Sequence, residues 1–216
     1  MSINSSVASP IRLIDPQISQ SSQTRKLIRP ELFNSKELLP LKPDRIWKIE
    51  TGVVRSLTWN QEGKVVTLGF WGEGDLVGGP LSQMNPYHLE CLTPVQVLEI
   101  SPNSYLQQAL LVHAWKSEKF LSIIHQLSVT DRFLSLLEWL SAEFGHPLGN
   151  NQGTLLNLRM THQDFADTIG SSRVTITRLL SNFEQAGIIE RFCSGHQHKL
   201  SNLCHLLCRQ SLIFKG

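Results

Sequence analysis

No apolar run in this 216-residue chain approaches the roughly 20 residues a membrane-spanning helix requires, so no membrane association is expected. The opening stretch, MSINSSVASPIRLID, lacks a cationic start followed by an apolar core. That argues against a secretory signal, and a cytoplasmic location is expected. Cysteine is scarce: Cys91, Cys193, Cys204 and Cys208 stand at irregular spacings that do not suit a disulfide framework. Cys204 and Cys208 would share one helical face near His196, His198 and His205, but no second pair at zinc-ligand spacing exists. Buried or half-buried thiols are expected instead, and no metal. Charge excess is small too, 20 Lys/Arg against 18 Asp/Glu for a formal +2. This excludes a histone-like polycation and an acidic disordered tail, while leaving room for a local basic face. Neither a nucleophile elbow, a phosphate-binding Gly loop nor a recognisable carboxylate pair is present. The chain is therefore not expected to be an enzyme or to carry a cofactor.

What is present is a 41% hydrophobic composition, enough for one large domain or two small ones. Residues 1–24 are rich in Ser, Gln and Asn without periodicity and read as a disordered tail. Across 25–110 the pattern is short alternating runs, Asp44–Ile49, Gly52–Trp59, Lys64–Trp71 and Val95–Ile100, broken by turns at 60–63 and 72–75. These predict a small antiparallel sandwich or barrel. Residues 112–144 contain neither Pro nor Gly and predict one long helix over 111–144, about 30 residues where 11–12 is typical. Phe120, Ile124, Leu127 and Leu134 form a stripe close to a coiled-coil seam, and Phe133, Leu136, Leu137 and Leu140 thicken the apolar face. Such a stripe reads as a core face or as a dimer interface; its length favours the dimer, because an isolated long helix needs a cover. Gly145 to Asn151 then breaks the helix, and 145–154 reads as a hinge.

Residues 161–191, THQDFADTIGSSRVTITRLLSNFEQAGIIER, carry the functional signal. Thr161 with Asp164 is an N-cap pattern, and Phe165, Ala166 and Ile169 give the helix an apolar side. Gly170 suits a left-handed stop. Ser171 or Ser172 then caps a second helix with Ile176, Leu179, Leu180 and Phe183 inward. Two short helices joined by such a turn make a helix-turn-helix. After Gly187, the runs 188–192 and 198–201 suit a small hairpin, a wing. Arg173 and Val174 begin the second helix, where a recognition helix reaches base edges, and Arg178 follows further along. An Arg fork matches the two acceptors of guanine, and an apolar side chain touches the thymine methyl. Thr161, His162, Gln163, Ser172, Thr175, Thr177 and Lys199 are candidates for phosphate contact, which positions rather than specifies. Residues 155–216 hold seven Lys/Arg against four Asp/Glu, so the basic excess sits on this C-terminal domain. A helical hairpin serving only protein interaction is the alternative, and the exposed basic stripe favours double-stranded DNA.

The order of small β domain, long helix, hinge and winged helix-turn-helix resembles the Crp/Fnr family of bacterial transcription regulators. The similarity spans about residues 30–205 and is most specific over 160–191, with looser matches at 46–55 and 69–78. Residues 170–180 (GSSRVTITRLL), with Tyr87-His88 and Thr93-Pro94-Val95, look closest to the cyanobacterial global nitrogen regulator branch. The resemblance implies an α+β chain: an N-terminal antiparallel β-roll of the cyclic-nucleotide-binding type, a dimerisation helix and a winged helix-turn-helix. It further implies a homodimer on a two-fold symmetric site with GTA-like half-sites, contact with RNA polymerase, and Arg173, Val174 and Arg178 at the base edges. Many members have Glu after the first Arg of this helix; Val174 departs from that pattern.

The sensor half departs further. Cyclic-nucleotide-binding members hold ribose and phosphate with Gly-Glu and Arg-Ser pairs, whereas GDLVGGPLSQMNPYHLECL here has no Arg-Ser pair. An Arg fork is the natural anchor for phosphate, so cyclic nucleotide is not expected. Asn85-Pro86 stands where the nitrogen regulator's 2-oxoglutarate pocket needs Arg, and residues 1–90 lack the Cys cluster of the iron–sulfur members. Haem ligation at His88 or Cys91 has only axial-ligand chemistry in its favour. The β domain also looks trimmed before Leu38. A redox response through Cys91 or Cys193, or a small-molecule response through the β-roll, remains the alternative; the thiol would need a depressed pKa.

Overall fold

The computed structural model describes residues 29–101, 106–148, 153–193 and 210–214; the expected tail at 1–24 lies outside them. Strands β1 (Glu31–Phe33), β2 (Ile46–Thr51), β5 (Leu76–Val77) and β7 (Val95–Ile100) form one antiparallel sheet in the order β1-β7-β2-β5. Strands β3 (Val54–Trp59), β4 (Val65–Trp71) and β6 (His88–Cys91) form a second, in the order β4-β3-β6. The β3–β4 hairpin closes as its turn residues dictate, with Asn60 Oδ1 accepting from the N–H groups of Glu62 and Lys64 at 3.0 and 2.9 Å. Trp47, Ile49, Val54, Trp71, Leu89 and Val97 fill the space between the sheets. The roll is not trimmed before Leu38: β1 pairs with β7 from Glu31 onward, and Leu38 bridges to Glu90. At three residues β1 is too short to show alternation in sequence.

The single helix expected over 111–144 is two: α1 (Leu106–Ile124) and α2 (Val129–Phe144). Ser128 caps α2, its hydroxyl accepting from the Asp131 N–H at 3.3 Å. A Ser-x-x-Asp start signal lay inside the run, and continuous apolar spacing masked it. Arg132 holds the junction by donating from Nε and Nη2 to the Gln126 carbonyl at 3.2 and 2.8 Å. The segment 145–154, read from sequence as a hinge, carries strand residues at both of its described ends. It contributes β8 (His146–Pro147) and the first residue of β9 (Thr154–Leu156), joined by Leu148 N–H to Gly153 O at 2.9 Å.

The C-terminal unit continues with α3 (His162–Ile169), α4 (Arg173–Gln185), β10 (Ile189–Cys193) and β11 (Gln210–Phe214), its sheet ordered β10-β11-β9-β8. Strand β10 pairs with β11 at 210–214, and the run 198–201, expected as part of the wing, falls outside the described residues. One apolar core runs from Val53, Phe70 and Leu92 of the roll through both long helices into Phe165, Ile176 and Leu180. Phe133 of α2 is its pivot, edge-on to Phe165 at 5.4 Å and stacked on Phe183 at 5.9 Å.

Candidate nucleic-acid interface

The two helices of the motif are built by local rules. Thr161 and Asp164 form a reciprocal capping box: the Thr161 hydroxyl accepts from the Asp164 N–H at 3.1 Å, and Asp164 Oδ2 accepts from the Thr161 N–H at 2.7 Å. Gly170 takes the left-handed conformation, φ +65°, that ends α3 without a Cβ penalty. Ser172 caps α4 by accepting from the Thr175 N–H at 3.1 Å. Gly187, φ +72°, closes α4 with Ile188 N–H to Phe183 O and Gly187 N–H to Glu184 O, a Schellman ending. Arg132 Nη1 donates to the Ile169 carbonyl at 2.6 Å, tying the α1–α2 junction to the turn of the motif.

Ile176, Leu179, Leu180 and Phe183 face inward, so α4 turns Arg173, Val174 and Arg178 outward. Val174 is 78% exposed, an apolar side chain with no packing role in the isolated chain. Neither Arg173 nor Arg178 forms an ion pair with any described residue. With His162, Thr177 and Ser181 they line a surface concavity of about 590 Å³.

The expected phosphate-contacting set divides. Thr161, Gln163 and Ser172 are exposed at the helix starts, Gln163 donating to Asp167 at 2.7 Å. Thr175 is half-buried beside Ser172, the two hydroxyls 2.9 Å apart. His162 and Thr177 bond to each other at 2.8 Å, and His162 is only 9% exposed. Lys199 lies outside the described residues. The expected dimer stripe is not one outward seam. Phe120 is buried in the chain's own core, packed against Phe70 and Trp139, and Ile124 and Leu134 are half-buried against the same core. Leu127 stands fully exposed in the break between the helices. The exposed apolar residues of α1 are Leu110, Leu111, Trp115 and Leu121.

A charge cluster that sequence reading missed joins this unit to the β-roll. Arg55 of β3, only 3% exposed, donates from Nη2 to Glu90 at 2.6 Å and to Asp164 at 2.8 Å, while Lys36 lies 3.2 Å from both carboxylates. Burial pushes the Asp164 carboxyl up, but the Arg55 guanidinium, the Thr161 N–H and the Lys36 ammonium outweigh it and hold the group at about 2. Thr67 of β4 and Thr168 of α3 add a buried hydroxyl–hydroxyl bond at 3.0 Å.

On the sensor side, Asp75 and Leu76, at the start of the stretch that lacks the Arg-Ser pair, are bound by the chain's own α1. His113 stacks on Trp71 at 3.8 Å and bonds to the Leu76 carbonyl at 2.7 Å, and Lys116 pairs with Asp75 at 2.5 Å. Cys91 is fully buried, and desolvation, followed by Glu37 and Glu90, pushes its thiol up to about 12. That is the opposite of what a thiolate sensor needs. The side chain of Cys193 lies outside the described residues. No group of His, Cys, Asp and Glu among the described residues is arranged to hold a metal, and no described helix is long and apolar enough to cross a membrane.

A family model described as a Crp-like helix-turn-helix domain matches residues 131–208. The regulatory protein CysR of Synechococcus elongatus is 43% identical over 164 residues, spanning 74% of this chain and 79% of that protein. This chain belongs to the Crp/Fnr family. The global nitrogen regulator of Synechococcus elongatus is similar at 26% identity over 166 residues, 68% of this chain and 73% of the relative. Among solved structures, a CRP-family transcriptional regulator from Thermus thermophilus shares the fold, with a TM-score of 0.66 at 17% identity over 85% of this chain and 91% of that one. The α+β architecture of this Crp/Fnr regulator, an antiparallel β domain followed by helices and a C-terminal helix-turn-helix, is the one its sequence implied. The domain match begins inside α2, which packs on α3, β9 and β11 as well as on α1.

Proposed function

We propose that this Crp/Fnr regulator acts as a homodimer that reads a two-fold symmetric DNA site, inserting α4 of each subunit into the major groove with the two helices roughly 34 Å apart. The observation that carries the reading is the outward face of α4, where Arg173, Val174 and Arg178 are exposed at the start and middle of a capped helix. A guanidinium fork beside an exposed valine suits adjacent guanine and thymine, hence a GTA-like half-site. Thr161, Gln163, Ser172 and Thr175 flank that face as phosphate contacts, with Lys199 assigned from sequence alone. The exposed apolar face of α1, Leu110, Leu111, Trp115 and Leu121, supports dimerisation through that helix. The sensor domain does not use cyclic nucleotide, since that stretch has no Arg and its start is already bound by His113 and Lys116. RNA polymerase is the partner the family resemblance implies.

Selection of bound fragments from a random duplex pool, at fixed salt with purified protein and no added ligand, tests this reading. The expected product is a symmetric motif with G-T in each half. Absence of enrichment with protein alone and again with cell extract would overturn it in favour of a dimeric interaction module.

A further inference from the structure

His162 begins α3, beside the exposed Thr161 and Gln163, yet its own side chain is almost wholly buried. Its Nδ1 lies 2.8 Å from Thr177 Oγ1, on the second turn of α4. The Thr177 hydroxyl in turn donates to the Arg173 carbonyl at 2.9 Å. A threonine hydroxyl has one proton; committed to Arg173 O, it leaves an oxygen that accepts. The histidine nitrogen facing it is therefore assigned as the donor, with Nδ1 the protonated ring nitrogen. The result is a directed relay, His162 Nδ1–H to Thr177 Oγ1–H to Arg173 C=O. It joins the first residue of α3 to the first residue of α4. Both ends open onto the concavity lined by Arg173, Val174 and Arg178.

The hydrophobic contacts between the helices fix their separation, but a greasy interface tolerates small rotations. A hydrogen bond directed along the α4 surface does not. We infer that His162 is a positioning residue for base readout: through Thr177 it sets the rotation of α4 relative to the start of α3, and thus the angle at which Arg173 and Val174 meet the bases. It is not one of the phosphate contacts. The inference rests on the DNA-reading role of α4 and concerns how that role is tuned. Side-chain length gives a sharp test, because asparagine places an N–H where Nδ1 stands, whereas phenylalanine keeps the ring and removes the donor.

Full-length wild type, His162→Phe, His162→Asn, Thr177→Val and the His162→Phe/Thr177→Val double variant are titrated on the selected duplex and on a scrambled one across a salt series. The expected result is about a tenfold loss of discrimination for His162→Phe, the size of one lost buried hydrogen bond, with the salt slope unchanged. His162→Asn recovers most of that loss, and the double variant discriminates no worse than the weaker single one. Thr177→Val breaks the relay from the partly exposed helix surface and keeps the test available if His162→Phe folds poorly. A salt slope reduced by about one in His162→Phe, with discrimination intact, would make His162 a phosphate contact and overturn the inference. Losses that multiply in the double variant would overturn it as well. Wild type that binds both duplexes alike would remove the DNA reading itself, and the inference with it.

Discussion

Arg173 and Val174 occupy the first two positions of α4, the part of a recognition helix that lies deepest in the groove. Replacing Arg173 by alanine is expected to lose about 1–3 kcal/mol at the guanine position and relax preference there, measured by titrating a panel of single-base variants of the site. Lys199→Ala should instead weaken all sequences alike and lower the salt slope by about 1. Equal losses on specific and random DNA for Arg173→Ala would argue against direct readout. Most of this face was legible in the sequence because it obeys local rules. Thr161 with Asp164, Gly170 and Ser172 each signal a helix end within a few residues. The apolar spacing of Ile176, Leu179, Leu180 and Phe183 then fixes which side faces out. The bond from His162 to Thr177 was not legible, since it spans two helices and turns what reads as an exposed polar residue into a buried one.

At the scale of elements, the division of α1 from α2 alters which residues are available to a second subunit. Leu111→Glu, on the exposed face of α1, should halve the mass found by light scattering while leaving the circular dichroism unchanged. A mass that stays the same would reject α1 as the subunit contact. Sequence periodicity marked the apolar positions but merged them, because Phe120, Ile124 and Leu134 keep helical spacing across a break that Ser128 and Asp131 signal only weakly. Short strands posed the opposite problem. His88–Cys91 alternates polar and apolar over only four residues, too few to mark a strand in sequence, and its ladder with β3 makes it recognisable.

Across the whole molecule, the β-roll and the helix-turn-helix are joined by charges far apart in sequence, which no local reading recovers. Arg55 answers two carboxylates from a site with little water, so removing it leaves Glu90 and Asp164 with only the more exposed Lys36 between them. Arg55→Met should therefore destabilise the chain by about 3–5 kcal/mol in urea unfolding. The pH dependence follows from Asp164, which lies against Arg55, Lys36 and Glu90. Its folded value of about 2 is below the ordinary 3.8, so its contribution is complete above 3.8 and is lost as pH falls through about 2. Unfolding midpoints should decline across that acidic window in the wild type and decline less in Asp164→Asn. An identical slope in both would show that the ion cluster does not couple to folding.

The distribution of indole rings in this chain has an optical consequence. Trp47, Trp71 and Trp139 are at most 7% exposed and Trp59 is 37% exposed, while Trp115 is 60% exposed on the outer face of α1. Fluorescence that an aqueous quencher can reach therefore arises chiefly from Trp115 in the separate subunit. Dilution through the association range should raise the quenchable fraction and shift emission to the red, and Trp115→Phe should abolish both changes. The chain thus carries its own reporter of whether α1 is covered, with no label added.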